Sequence, residues 1–413
     1  MDKAFAAEWK QGWEAAENYH RALHRAQGHR ALATYLDHLV GTSENDLADH
    51  LPRWLNCDSG TVSLEDGSQR DHDPADLITY CVPAAYRPEL GNPVMFEQLL
   101  HRMCGKNDEV ASYVWKALGY SLLGENPEHL IFFLNGPTNS GKTLVLSIVT
   151  EVLGALAHES KAELITWVRH GRNARTENSI RGARFVTITE TSKLMLVDEG
   201  QVKRITGERR IAVDRHYSTD EIPTMVTWTI WVATNKMPSI NSMDGAMQER
   251  VVVIPCGETI PASERDKRLA EKILAAEKDQ ILAWLIAGCI EYHRTGLAPP
   301  AAVITETARY RSQQSSAGQF VEENCSYVPA GATGHIEMAT AWTRYLDWVR
   351  ATSRQIHLDK GEFFEQMASP PGVIKQDSGG SIRRFYGLVW NGAVLEFPAW
   401  MSEGSQPGWT GQS

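Results

Sequence analysis

The chain has 413 residues, of which 42% are hydrophobic and 22% charged, and it carries a formal net charge of -10 with a pI near 5.8. That length suits two or three domains. The acidic balance argues against a protein that coats duplex DNA with its whole surface, while leaving room for a local basic patch or a charged channel made by oligomerisation.

The opening segment Met1–His20 is mixed and charged and lacks the apolar core of a signal peptide. Residues 1–50 read as helical, with Trp9, Trp13 and Ala16, then Leu32, Tyr35 and Leu39, at helical spacing. His20 and His24 stand four apart, a spacing that can bind metal, but with no acidic motif beside them they read as a solvated helix face. Between 51 and 90, turn signals at Asn56-Cys57-Asp58-Ser59-Gly60 and Glu65-Asp66-Gly67 flank Thr61-Val62-Ser63-Leu64, which predicts a small β-hairpin. Helical periodicity returns at Phe96, Leu99, Leu100 and Met103, and again at Val110, Tyr113, Val114, Ala117 and Leu118.

From 130 to 255 strands alternate with helices. Ile131–Leu134, Phe185–Thr189, Thr229–Thr234 and Val251–Ile254 are β-rich, and Leu144–Leu153 is helical, so a largely parallel sheet covered on both faces is expected. Residues 266–294 form an amphipathic helical stretch stopped by Gly296 and Pro299-Pro300. Two more helices are predicted over 338–368. Gly379-Gly380 then separates Val373-Ile374-Lys375 from Arg384-Phe385-Tyr386-Gly387-Leu388, a winged-helix pattern, before a frayed tail. The six cysteines form no CxxC pair and are too scattered for a disulfide framework, so a reducing cytoplasm is expected. No run reaches the roughly 18 apolar residues of a membrane span.

The most specific motif is Gly136-Pro137-Thr138-Asn139-Ser140-Gly141-Lys142-Thr143, which fits G-x-x-x-x-G-K-[ST] between a strand and a helix. Glycines let such a loop wrap closely and aim backbone N–H groups at phosphate oxygens, and the helix N-terminus adds partial positive charge. Lys142 is expected on the β- and γ-phosphates of ATP, and the Thr143 hydroxyl on Mg²⁺. Asn235-Lys236-Met237-Pro238 begins like a guanine-reading N-K-x-D but ends in proline, so guanine selection has no basis.

Three further residues fit the same chemistry. Glu190 ends the strand Phe185–Thr189, where an acid can hold Mg²⁺ or polarise water; Asn235 ends Thr229–Thr234, where a polar group can sense the γ-phosphate. Arg250 stands just before Val251–Ile254, where it can stabilise transition-state charge in a neighbouring subunit. The plain alternatives are a surface glutamate, an asparagine turn and a surface salt bridge.

Lys142, Glu190, Asn235 and Arg250, in this order and spacing, resemble superfamily III helicases, the AAA+ motors of small viruses, poxviruses, phages and plasmids. The likeness is to the helicase half of the phage and plasmid primase–helicase family. It extends to Leu77-Ile78-Thr79 after His72-Asp73-Pro74, to Ala117–Leu122, to Lys203-Arg204-Ile205-Thr206-Gly207 and to Ile281–Gly288. The chain departs from the family pattern at Gly207-Glu208-Arg209, at Thr189 before a single Glu190, and at His216, where relatives often have lysine.

The resemblance implies an α/β fold with an AAA+ P-loop NTPase core, an N-terminal helical and β-hairpin domain, and a C-terminal winged-helix domain. The boundaries expected are 1–110 for ring assembly, 111–298 for the ATPase, 299–395 for the winged helix and 396–413 for the tail. It further implies a hexamer in the bacterial host cytoplasm that pulls one DNA strand through its pore, with Arg215, His216 and Tyr217 touching that strand and a separate primase as partner. Two other functions remain open: an AAA+ DNA-binding loader or switch that does not unwind, and a P-loop phosphotransferase for a small molecule.

Overall fold

The computed structural model describes residues 53–167, 174–189, 196–214, 221–240, 245–314, 316–328, 333–352, 358–368, 373–376 and 383–393. The helices expected over residues 1–50, His20 and His24, the Gly379-Gly380 turn and the tail lie outside the described residues.

The expected hairpin is present. β1 (Trp54–Cys57) pairs antiparallel with β2 (Gly60–Ser63), Trp54 opposite Ser63, and β3 (Gln69–Arg70) adds a third strand. Gly60 has φ +135, and a Cβ there would lie 2.4 Å from the Arg70 carbonyl oxygen, so only glycine fits this turn. α1 (Val94–Met103) and α2 (Asp108–Tyr120) bury the predicted apolar positions. Asn107 caps α2 by accepting from Val110 N–H, but α1 starts at Pro93 with no side-chain cap of its own. Its first amides are met from far along the chain: the Glu277 carboxylate accepts from Met95 N–H at 2.8 Å and from Phe96 N–H at 3.0 Å.

The central sheet is built from β4 (Ile131–Asn135), β5 (Ala157–Glu159), β6 (Phe185–Ile188), β10 (Thr229–Thr234) and β12 (Val251–Pro255). All pair parallel, in the order β12-β4-β10-β6-β5. α3 (Lys142–Leu153) joins β4 to β5, and α4 (Ala174–Ser179) precedes β6. Between β6 and β10 come β7 (Leu196–Val197), α5 (Glu199–Gly207) and the hairpin of β8 (Arg210–Asp214) and β9 (Glu221–Met225). β11 (Ser239–Ile240) and α6 (Gly245–Arg250) follow β10. β4 and β10 are apolar on both faces because both faces are covered. Phe132, Leu134 and Trp231 face one core with α2, α3 and α7 (Leu269–Thr295); Ile131, Phe133, Ile230 and Val232 face the other, with Val202 and Ile205 of α5. Trp231 stacks on Phe132 with ring centroids 4.6 Å apart and donates its Nε1–H to Ser121 Oγ at 2.9 Å.

α7 is the helix expected over 266–294, and it crosses α2 closely. A Cβ on Gly119 would lie 2.3 Å from the Cys289 nitrogen, and one on Gly288 would lie 2.7 Å from the Trp115 carbonyl oxygen. α8 (Ala301–Gln314) then lies along β12, the edge of the sheet. Thr307 Oγ1 accepts from Val253 N–H at 2.9 Å, and Arg311 donates to the Val251 carbonyl at 3.2 Å, so side chains satisfy backbone groups that a bare edge would expose.

Beyond it lies a separate apolar cluster. It is formed by α9 (Ser316–Asn324), β13 (Cys325–Tyr327), β14 (His335–Glu337), α10 (Met338–Thr352), α11 (Lys360–Ala368), β15 (Ile374–Gln376), β16 (Arg384–Tyr386) and β17 (Leu388–Trp390). Phe320, Tyr345 and Phe363 are its centre, with Tyr345 and Phe363 stacked 4.3 Å apart. The two strands predicted here are part of a three-stranded antiparallel sheet, β14-β16-β15, because the short run His335–Glu337 also joins β16. Among the described residues, no helix is long and apolar enough to cross a membrane.

Candidate functional site

Chain order and strand order together place a crevice. β4 connects towards β5 at the far edge, whereas its neighbour β10 connects to β12 on the other side. The two connections part at the carboxyl ends of β4 and β10, where open parallel sheets leave room for a ligand.

The loop Gly136–Gly141 leaves β4 at this point. A Cβ on Gly136 would lie 2.7 Å from the Cys256 Cβ, so the loop runs flush against the end of β12. Asn139 (φ +60) and Gly141 (φ +101) take left-handed backbone conformations that turn the chain back into α3. α3 has no side-chain cap, which leaves its first-turn N–H groups for an external acceptor. Leu99 and Met103 of α1 back the loop at Gly141.

Lys142 opens α3 and is only 5% exposed. Its Nζ donates to the carbonyls of Gly136 (2.8 Å) and Pro137 (2.7 Å) and reaches Ser140 Oγ (3.1 Å) and Asn235 Oδ1 (3.1 Å). The four oxygens offset the cost of burying an ammonium, and burial still holds its pKa below the usual lysine range. The Asn235 contact joins two residues predicted separately. Thr143 is exposed beside them.

These groups line a cavity of about 910 Å³ together with Thr189, Ile260 and Arg265–Lys267. Its second wall is the β12–α7 connection, tied to the loop by Thr259 Oγ1 donating to the Thr138 carbonyl (2.9 Å) and Ile260 N–H donating to the Asn139 carbonyl (3.0 Å). Sequence reading missed this wall, since it belongs to no motif; the only signal was a charged run, Arg265-Asp266-Lys267-Arg268, ahead of a long helix.

Residues 5–105 match the family described as D5 N terminal like. The chain is also similar to the "Putative helicase 022R" of Frog virus 3 (isolate Goorha), with 26% identity over 253 residues, or 56% of this chain. It spans about a quarter (26%) of that relative's length. Among solved structures it resembles the apo C terminal region of NrS-1, at 12% identity and a TM-score of 0.43, covering 87% of this chain and 90% of that one. A second, A form, structure of the same region gives 13% identity and a TM-score of 0.42, covering 86% of this chain and 90% of that one. The D5-like stretch ends on α1 and the turn after it, so its last residues are the ones that back the loop at Gly141.

Other predicted residues lie elsewhere. Glu190 is outside the described residues; its neighbour Thr189 lines the cavity and donates to the Glu159 carboxylate at 2.5 Å, which sets an acid that the sequence did not single out beside the end of β6. Arg215, His216 and Tyr217 also lie outside the described residues, beyond the last pair of the β8–β9 hairpin, Asp214 opposite Glu221. Arg250 is not brought to its own chain's cavity. It precedes β12, whose Val251 pairs with Ile131 at the start of β4 and whose Pro255 pairs with Asn135 at its end. Arg250 is therefore about 16 Å from the loop end of the sheet at the usual rise per strand residue. Its Nη1 donates to the Ala246 carbonyl at 2.6 Å, its guanidinium lies against Gly207, and its Nε is buried with no partner among the described residues.

Proposed function

We propose that the chain is an ATP-driven DNA helicase of a phage, virus or plasmid replication system, working as a hexameric ring around one DNA strand. The observation that carries this reading is the Lys142 ammonium held against Asn235 where the connections of β4 and β10 part, beside a loop that lines an open cavity. The D5-like N-terminal stretch and the helicase name of the Frog virus relative support the choice of a replication motor over a small-molecule phosphotransferase.

In this mechanism the loop amides and Lys142 hold the β- and γ-phosphates. Asn235 reads the γ-phosphate, beside the Lys142 ammonium to which its Oδ1 is hydrogen-bonded. The exposed Thr143 hydroxyl and Glu190 are oxygen donors that suit a hard cation, so Mg²⁺ would sit with them and neutralise phosphate charge. Glu190 orients water. Arg250, a strand length from its own loop, is the residue for a neighbouring subunit's phosphates. Hydrolysis moves the β8–β9 hairpin, whose tip brings Arg215, His216 and Tyr217 to the DNA strand, and the C-terminal cluster acts as a winged helix.

The test is strand separation on a forked, fluorescently labelled DNA with ATP and Mg²⁺, run beside Lys142→Ala. Unwinding that disappears in Lys142→Ala is expected. DNA-stimulated hydrolysis without unwinding would favour a loader or switch, and wild-type turnover in Lys142→Ala would remove the core of the proposal.

A further inference from the structure

The loop side of the cavity accounts for one cation, Lys142, and that cation is already shared among four protein oxygens. A nucleoside triphosphate brings more negative charge than one ammonium and one divalent cation neutralise. The opposite wall carries the rest of the positive charge. Arg265, Asp266 and Lys267 line the same cavity from the β12–α7 connection.

The three side chains are not equivalent. Asp266 is held by Lys272 at 2.6 Å and accepts from Arg268 N–H at 2.9 Å, and the Lys272 bond holds its carboxyl below the usual range. Its charge is thus answered within its own turn. Arg265 donates its Nε–H to the Ile260 carbonyl at 2.7 Å, which fixes the root of the guanidinium and leaves both terminal nitrogens unbonded among the described residues. Lys267 makes no hydrogen bond or ion pair among the described residues, yet it lines the cavity. The wall that carries them is registered to the phosphate-type loop by the Thr259–Thr138 and Ile260–Asn139 hydrogen bonds. The spacing between the two walls is therefore held by one side-chain-to-backbone bond and one backbone-to-backbone bond, neither of which involves Arg265 or Lys267.

We propose that Arg265 and Lys267 are the second cationic wall of the nucleotide site, and that they bind the polyphosphate tail from the same chain, opposite Lys142. This rests on the nucleotide reading above and extends it, by assigning the tail, and not the base, to the β12–α7 connection. Arginine presents a planar fork and lysine a mobile point charge, so the pair suits adjacent phosphates of one tail.

The experiment is calorimetric titration of the full chain with Mg²⁺ and a non-hydrolysable ATP analogue, ADP and AMP. Three variants are compared: Arg265→Ala/Lys267→Ala, Lys267→Ala alone, and Lys267→Arg. The single lysine variant guards against a folding effect, because Lys267 holds nothing else in the described structure. The double variant is expected to weaken the ATP analogue about tenfold, a loss that corresponds to about 1.4 kcal/mol. The loss is smaller for ADP, absent for AMP, and reduced at high salt. Lys267→Arg should retain affinity. A change below about twofold for the ATP analogue, while Lys142→Ala loses binding, would overturn the second wall and leave the nucleotide site standing. An equal loss for AMP would overturn the assignment to the tail. Wild-type binding of the analogue in Lys142→Ala would bring down the nucleotide reading, and this inference with it.

Discussion

Glu277→Ala removes a carboxylate that caps a helix it does not belong to. Glu277 sits on α7, is 7% exposed, and accepts from Met95 and Phe96 N–H at 2.8 and 3.0 Å. Each hydrogen bond to a charged acceptor contributes about 1.5–3 kcal/mol, and a buried amide left without a partner costs about 1–3 kcal/mol. The negative charge at the start of α1 adds about 0.3–1 kcal/mol through the helix dipole. The contributions overlap, so about 3–4 kcal/mol is expected for alanine, and about half of that for glutamine, which keeps one acceptor. At about 2–4 °C per kcal/mol for a domain of 150–250 residues, alanine should lower Tm by about 6–16 °C. Circular dichroism melts of the full chain measure this. Leu99 and Met103 of α1 also back the loop at Gly141, so ATP affinity should fall with stability. A Tm shift under about 2 °C for Glu277→Ala would refute the capping argument.

Gly288→Ala should lower the urea midpoint, since the added methyl meets the Trp115 carbonyl oxygen at 2.7 Å; overpacking of this kind costs about 1–3 kcal/mol or more. An unchanged midpoint would mean that α2 and α7 separate freely. Arg250→Ala, mixed with wild type, should depress ATPase activity below the share of wild-type subunits; strict proportionality would count against a role in the neighbouring site. Burial lowers the Lys142 pKa below 10.5. In the proposed nucleotide site its ammonium would be the binding form, so ATP affinity should fall as pH rises through that depressed value, before an ordinary lysine titrates. Over the interval from there up to 10.5 the unfolded chain binds the proton more tightly, so the same step raises folding stability with pH. Affinity that stays flat up to the ordinary lysine range would contradict this.

The parts of the fold that rest on local pattern were legible. Ile131–Leu134 before the loop, Thr229–Thr234 and the long helix after 266 announce themselves because burial on both faces demands unbroken apolar runs, and helical packing demands a 3.6-residue period. Lys142 was expected from its glycine-framed loop motif and Asn235 from the strand it ends, and the fold brings the two side chains within 3.1 Å. What escaped depends on partners far along the chain. β5 is three residues, Ala157-His158-Glu159, and none of them is fully buried, so no apolar run marks it. His335–Glu337 looks like loop until β16 pairs with it. The Glu277 cap spans about 180 residues of sequence, and nothing around Pro93 asks for it. Arg265 and Lys267 carry no motif, and their place beside the loop depends on two hydrogen bonds, one from the Thr259 hydroxyl and one from the Ile260 amide, across about 120 residues. Strand order is also silent in the sequence, so the distance of Arg250 from its own loop became visible only when β12 was seen to run parallel beside β4.

The covering of β12 by α8 has a consequence for the chain as it is made. Thr307 follows Val253, the amide it satisfies, by 54 residues. During synthesis from the N-terminus all five parallel strands are therefore complete while the Val251–Ile254 edge still waits for its cover. A nascent or proteolysed chain that stops short of α8 displays a valine-rich strand with free backbone groups, a template for pairing with another chain. Fragments ending near residue 300 should aggregate, whereas fragments ending after Gln314 should stay dispersed, and the helix that connects the sheet to the C-terminal cluster doubles as the sheet's own chaperone.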